Sequence, residues 1–230
     1  MKPLFATSTR ISALLLLALA TTQGLAQTQV SAGSADAAQS QVRQQLPQLN
    51  QEVADLYRAG KYEQAAAIAQ RALALAERAY GAESKEAGTP LNNLALMYES
   101  MGQYQRAEPL YVRALAISEK AEGPEHPETG IRLNNLAGLY YAMGQYQRAE
   151  PLYVRALAIS EKAQGPEHLS TGNKLNNLAL LYKSMGQYQR AEPLYVRALA
   201  ISEKAQGPEH PSTGIRLNNL ALLYESMGQY

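Results

Sequence analysis

The 230-residue chain contains no cysteine, no tryptophan and a single phenylalanine, and its only aspartates are Asp36 and Asp55. Without thiols there can be no disulfide, thiol nucleophile, zinc–thiolate site or lipidated N-terminal cysteine. Both aspartates lie outside the strongly repeated part of the sequence, so a repeat-borne Ser-His-Asp arrangement is excluded. Excess charge of either sign is also missing: the formal net charge is +1, which gives no general affinity for nucleic acid or an anionic membrane. Neither a GxxxxGK[ST] phosphate loop nor a GxGxxG fingerprint occurs, and no cofactor is expected.

Long apolar runs are scarce too. ISALLLLALA, residues 11–20, is one such run, and it is shorter than the roughly 20 helical residues needed to cross a bilayer. Lys2 and Arg10 precede it and TTQGLAQ follows, which is the layout of a secretory signal peptide. Residues 1–26 are therefore expected to be removed after Ala26, with Gly24 and Ala26 as the small residues at the site. That leaves an exported protein, periplasmic or secreted, with no stable membrane anchor. Residues 27–44 are mostly small and polar and read as a flexible leader.

What the chain does have is repetition. LNNLA starts at Leu91, Leu133, Leu175 and Leu217, a period of 42 residues. A divergent copy upstream aligns Gly60 with Gly102 and Tyr62 with Tyr104. The expected units are 45–90, 91–132, 133–174, 175–216 and an incomplete 217–230. Leu91, Leu94, Ala95 and Tyr98 fall at i, i+3, i+4 and i+7, one stripe of a helix that Gly102 should end in the left-handed conformation. Ala107, Leu110, Tyr111, Ala114, Leu115 and Ser118 place a second stripe on a second helix, which Gly123 and Pro124 stop; Pro127 suits the first turn of the next helix. Pro109 should tilt its helix without breaking it. Neither helix pair can bury its stripe alone, so the expected fold is all-α, a solenoid of stacked helix-turn-helix units.

L91xxL94A95xxY98, then Gly102, then A107xxxY111xxA114 resembles the tetratricopeptide repeat (TPR), with Leu91 in the lead position. The longer second helix and the GPEHP turn are similar to the kinesin-light-chain type. The resemblance spans about residues 45–230 and implies a right-handed superhelix whose first helices line a concave groove that binds peptides. Residues expected on that face are Asn92, Asn93, Leu96 and Glu99; then Asn134, Asn135, Gly138 and Tyr141; then Asn176, Asn177, Leu180 and Lys183; then Asn218, Leu222 and Glu225.

Copy-to-copy comparison separates two kinds of position. The Asn pair is constant, and carboxamides carry both donors and acceptors, so a ladder of them could hold a peptide backbone. The alternative is that one Asn of each pair bonds the neighbouring unit. YQRAEPLYVRALAISEKA is identical in three second helices, whereas Leu96/Gly138/Leu180 and Glu99/Tyr141/Lys183/Glu225 change. Those positions read either as specificity letters or as random change after recent duplication. Gly138 leaves a notch, expected to take an apolar or aromatic ligand side chain.

His126, His168 and His210 stand one unit apart, too distant to share a metal, and read as turn residues at helix junctions. Three equivalent, separated surface positions also do not converge on one reacting atom, so catalysis is not expected. The expected function is an exported interaction scaffold that holds a peptide or partner helix. A regulatory array of a longer protein with an effector or catalytic domain beyond Tyr230, and an end-to-end self-assembler, are the alternatives. The last LNNLALLYESMGQY keeps the apolar stripe of an internal unit, which reads as truncation of a longer protein.

Overall fold

A computed structural model of the chain describes residues 39–228. The expected signal peptide, its cleavage after Ala26 and most of the leader lie outside these residues. Among the described residues there are nine helices and no strand. They are α1 (residues 39–58), α2 (Tyr62–Tyr80), α3 (Lys85–Ser100), α4 (Tyr104–Ala121), α5 (Pro127–Ala142), α6 (Tyr146–Gln164), α7 (Leu169–Ser184), α8 (Tyr188–Gln206) and α9 (Pro211–Ser226). The chain divides into two compact units, Met1–Pro47 and Gln48–Tyr230; the second holds the C-terminal part of α1 and all of α2 to α9.

Two boundaries differ from the sequence expectation. Helix α1 starts at residue 39, inside the stretch expected to be flexible. Val42 and Leu46 are both buried there, at a helical spacing of four that the surrounding glutamines obscure. The first helices also start well ahead of the LNNLA words, at Lys85, Pro127, Leu169 and Pro211.

Three of those starts, including the one that Pro127 marks in the sequence, carry a side-chain cap that composition hides. His126, His168 and His210 are the N-cap residues of α5, α7 and α9, and the ring Nδ1 of each accepts from the backbone N–H two residues on, at 3.1–3.2 Å. Aspartate, asparagine or serine usually fills this role; here an imidazole nitrogen does. Replacing His168 by Ala should cost about 1 kcal/mol in urea unfolding, the usual loss for a deleted cap, and His168→Asn should restore most of it.

At the other end, Gly102, Gly144 and Gly186 adopt φ near +70°. In the first of these turns Gly102 N–H donates to the Glu99 carbonyl and Gln103 N–H to the Tyr98 carbonyl, the two bonds that close a helix through a left-handed residue. Pro109, Pro151 and Pro193 lie inside α4, α6 and α8, each of which continues past its proline.

The stripes form the core. Leu91, Ala95, Leu133, Ala137, Leu175 and Ala179 are fully buried, and so are the second-helix alanines Ala107, Ala114, Ala149 and Ala156. Methyl-sized side chains there let helices approach closely. From α2 to α9 each helix packs on its chain neighbours, and beyond these the backbones of the first helices approach in succession, α3 on α5, α5 on α7 and α7 on α9, while the second helices of the described residues are set further apart and meet through long side chains. The first helices therefore form the closer-set inner row and the second helices the wider outer row, so the first-helix side of the stack is its inner side.

Polar side chains tie the units together. Ser118, Ser160 and Ser202 bond to Thr129, Thr171 and Thr213 at 2.8–2.9 Å, and each Thr hydroxyl donates to the carbonyl of Gly123, Gly165 or Gly207. Tyr140 and Arg148 both donate to Glu108, one unit back, with the guanidinium over the tyrosine ring; Tyr182, Arg190 and Glu150 repeat the arrangement. Arg113, Arg155 and Arg197 reach Glu77, Glu119 and Glu161 between successive second helices. The identical words of the second helices thus carry several of the same contacts from unit to unit.

Candidate functional site

The paired asparagines of the first helices form a continuous ladder. Asn93 Nδ2 donates to Asn50 Oδ1, Asn135 to Asn92, Asn177 to Asn134 and Asn219 to Asn176, at 2.9–3.2 Å. Both members of the first three pairs are engaged, the second with the preceding unit and the first with the following one; of the last pair only Asn219 is. Of the two alternatives left open by the sequence, the inter-unit bond is present, and it uses half of each carboxamide. Nδ2 of Asn134 and of Asn176, and Oδ1 of Asn135 and of Asn177, have no partner among the described residues. Asn92 is different: only 5% of it is exposed, because packing around its rung closes over it. It offers little to a ligand, contrary to the expectation for a groove residue.

One helical turn further on, the row of changing residues occupies the same inner face. Leu96, Glu99, Gly138, Tyr141, Leu180 and Lys183 are half-buried, whereas Asn218, Leu222 and Glu225 on α9 are exposed. Tyr141 reaches Ser184 of the next unit, hydroxyl to hydroxyl at 3.0 Å. Glu99 accepts from Tyr111 Oη at 2.7 Å and has no cationic side chain within ion-pair distance among the described residues.

Gly138 does leave a notch, but its floor is polar. A Cβ there would stand 3.6 Å from Tyr153 Oη and 4.0 Å from Glu99 Oε1. The expectation of an apolar ligand group in the notch fails on this point, since such a group would strip water from a carboxylate and a phenol without replacing their hydrogen bonds. Sequence reading placed Tyr111, Tyr153 and Tyr195 in the core. Their rings are buried, but two of the hydroxyls reach the inner face, Tyr111 to Glu99 and Tyr153 toward Gly138, while that of Tyr195 is buried with no partner among the described residues. Only stacking reveals this, because neither the residue type nor its spacing in the sequence distinguishes a core tyrosine from one with an active hydroxyl.

Burial raises the Glu99 carboxyl above its ordinary 4.5, partly opposed by the Tyr111 hydrogen bond. Burial and the nearby Glu99 charge push the Tyr111 and Tyr153 hydroxyls up as well. A raised folded value means that the folded chain holds the proton more tightly than the unfolded one. The associated stability is present below 4.5 and is lost as pH rises through the raised value. Glu99→Gln should therefore be more stable than the wild type at pH 7, with the difference shrinking toward pH 4.5. Urea unfolding of both proteins at the two pH values checks this; a constant difference would contradict it.

Among the described residues no group of three or more His, Asp or Glu is placed to hold a metal ion, and no helix is long and apolar enough to cross a membrane.

Comparison with known proteins supports the same architecture. The family profile for the tetratricopeptide repeat matches residues 48–120, 86–162, 132–204 and 170–230. No curated protein sequence matches. Among solved structures, a protein of Podosopora anserina assigned as a kinesin light chain, with nearly identical TPR-like repeats, is 29% identical at a TM-score of 0.68, over 80% of this chain and 88% of that one. BtubC (BKLC) from P. vanneervenii is 24% identical at a TM-score of 0.71, covering 86% of this chain and 83% of that one, a likeness of fold alone. With overlapping profile matches from residue 48 to residue 230 and a structure of stacked helix pairs, the chain belongs to the tetratricopeptide-repeat family, a family of protein-interaction folds.

Proposed function

We propose that the chain is an exported scaffold that holds a peptide or a partner's helix along the inner face of its first helices. The observation that carries this reading is the half-used ladder. The rungs fix their carboxamides in place through the inter-unit bonds, yet in the two middle pairs, Asn134/Asn135 and Asn176/Asn177, they leave a donor on the first Asn and an acceptor on the second. A row of fixed donors and acceptors at regular intervals suits a backbone, whose own groups recur regularly, and each bond would add about 0.5–1.5 kcal/mol. The changing residues beside it supply selectivity, with a donor-bearing ligand side chain at the Gly138 notch, where Glu99 and Tyr153 can accept. Export rests on the N-terminal sequence layout.

Selection of a displayed random-peptide library on the chain, followed by binding measurements on variants, tests the reading. Leu180→Arg, on the inner face, should weaken selected peptides at least tenfold. Val154→Arg, at an exposed outer position, should leave them unchanged. The reverse pattern, or peptides indifferent to both, would overturn it.

A further inference from the structure

Three first helices carry a buried cation at one equivalent position: Arg132, Lys174 and Arg216 are 7%, 8% and 5% exposed. Their electrostatic surroundings differ. Arg132 pairs with Glu128 at 3.1 Å, one turn earlier on α5, and donates to Thr89. The residues at the position of Glu128 in the next two units are Ser170 and Ser212. Lys174 Nζ consequently donates only to Ser170 Oγ, at 3.0 Å. Arg216 donates to Ser202, to the Ser212 carbonyl and to Asn173, all neutral, and its Nε is buried with no partner. Among the described residues no carboxylate lies within ion-pair distance of either cation.

Both cations line one cavity of about 440 Å³ between α7 and α9, whose wall includes Asn173, Asn176, Asn177 and Ser212. A smaller cavity, of about 290 Å³, lies beside Arg132, and there Glu122 and Glu128 form part of the lining. Burial lowers the Lys174 pKa, with no neighbouring charge to oppose it; an arginine cannot escape in this way and stays charged. A buried cation without a counter-charge is costly, and an anion that binds beside it removes that cost.

We propose that Lys174 and Arg216 form a site for one oxyanion group, a carboxylate or a phosphate, seated in this cavity with the amides of Asn173 and Asn176 as supporting donors. The Arg216 guanidinium and the Lys174 ammonium, on facing helices, both line the cavity and supply its positive charge and N–H donors. The inference goes beyond peptide binding and does not depend on it: the cavity can take a free anion. If a peptide does lie along the ladder, an acidic group on it would anchor at this end.

The test is a titration of the full chain with inorganic phosphate and, separately, with acetate, at ionic strength held constant with chloride. Backbone ¹H–¹⁵N spectra and the thermal midpoint are the readouts. Saturable shifts confined to residues near Lys174 and Arg216, with a rising midpoint, are expected. A response to phosphate alone assigns a phosphate; a response to both admits a carboxylate. The Ser170→Glu/Ser212→Glu variant recreates the Arg132 arrangement twice, and should lose the response while keeping its circular dichroism. As a second check that leaves the serines intact, Lys174→Met should weaken phosphate binding at least tenfold. No saturable response in the wild type, or one that persists in the double glutamate variant, overturns the site. Phosphate binding without any peptide binding would sink the scaffold reading alone.

Discussion

Leu139→Ala is expected to destabilise the chain by about 2–5 kcal/mol, the range for removing a fully buried leucine. Leu139 is completely buried in the main core, among side chains from successive units, so collapse around the cavity is restricted on all sides. The consequence extends beyond one unit. In a stack each unit is stabilised by its neighbours, and α5 touches both α3 and α7 as well as α4 and α6. Loss at this position weakens two interfaces at once. Urea unfolding should show a lower midpoint together with a shallower slope, because the two ends no longer melt together. A drop in midpoint at unchanged slope would mean that coupling between units does not pass through α5.

Gly138→Leu is expected to lower the affinity of inner-face peptides at least tenfold. The leucine side chain would extend from a Cβ already 3.6 Å from Tyr153 Oη and 4.0 Å from Glu99 Oε1, filling the notch and covering the two acceptors. Its effect on stability has two opposing parts. Replacing an interior helical glycine gains about 1 kcal/mol, while apolar atoms over Glu99 deepen the burial that already raises its carboxyl. Gly138→Ala, with an ordinary contact at Cβ, should keep the gain and much of the binding. Calorimetric titration of a selected peptide against both variants separates these effects, and equal affinities for all three proteins would remove the notch from the site.

Much of the fold was legible because it depends on local periodicity. The Leu91, Leu94, Ala95, Tyr98 stripe is buried as its spacing predicts, and Gly102 ends the helix in the left-handed region. The start of α5 was legible in Pro127, which suits a first helical turn, but its cap was not, since histidine rarely caps and nothing in GPEH announces that Nδ1 accepts a backbone bond. The ladder was legible as a constant Asn pair but not in its pairing: the bond from Asn177 to Asn134 joins residues 43 apart and exists only once units stack. The tyrosine hydroxyls depend on shorter contacts across a helix pair, such as Tyr111 with Glu99, 12 residues apart. The one functional contrast that the letters alone could have given is Glu128 against Ser170 and Ser212. It stayed hidden because a lysine or arginine on a helix is ordinarily solvated, and the sequence does not show that Lys174 and Arg216 are buried.

The side-chain amide resonances of the ladder test the account's central claim most directly. With a selected peptide added, the Nδ2 groups of Asn134 and Asn176, which have no partner among the described residues, should shift and become protected from exchange. Those of Asn135 and Asn177, committed to Asn92 and Asn134, should move far less. Shifts confined to the outer positions around Val154 and Val196, with all four asparagines unmoved, would contradict the claim that this ladder is where the protein holds its partner.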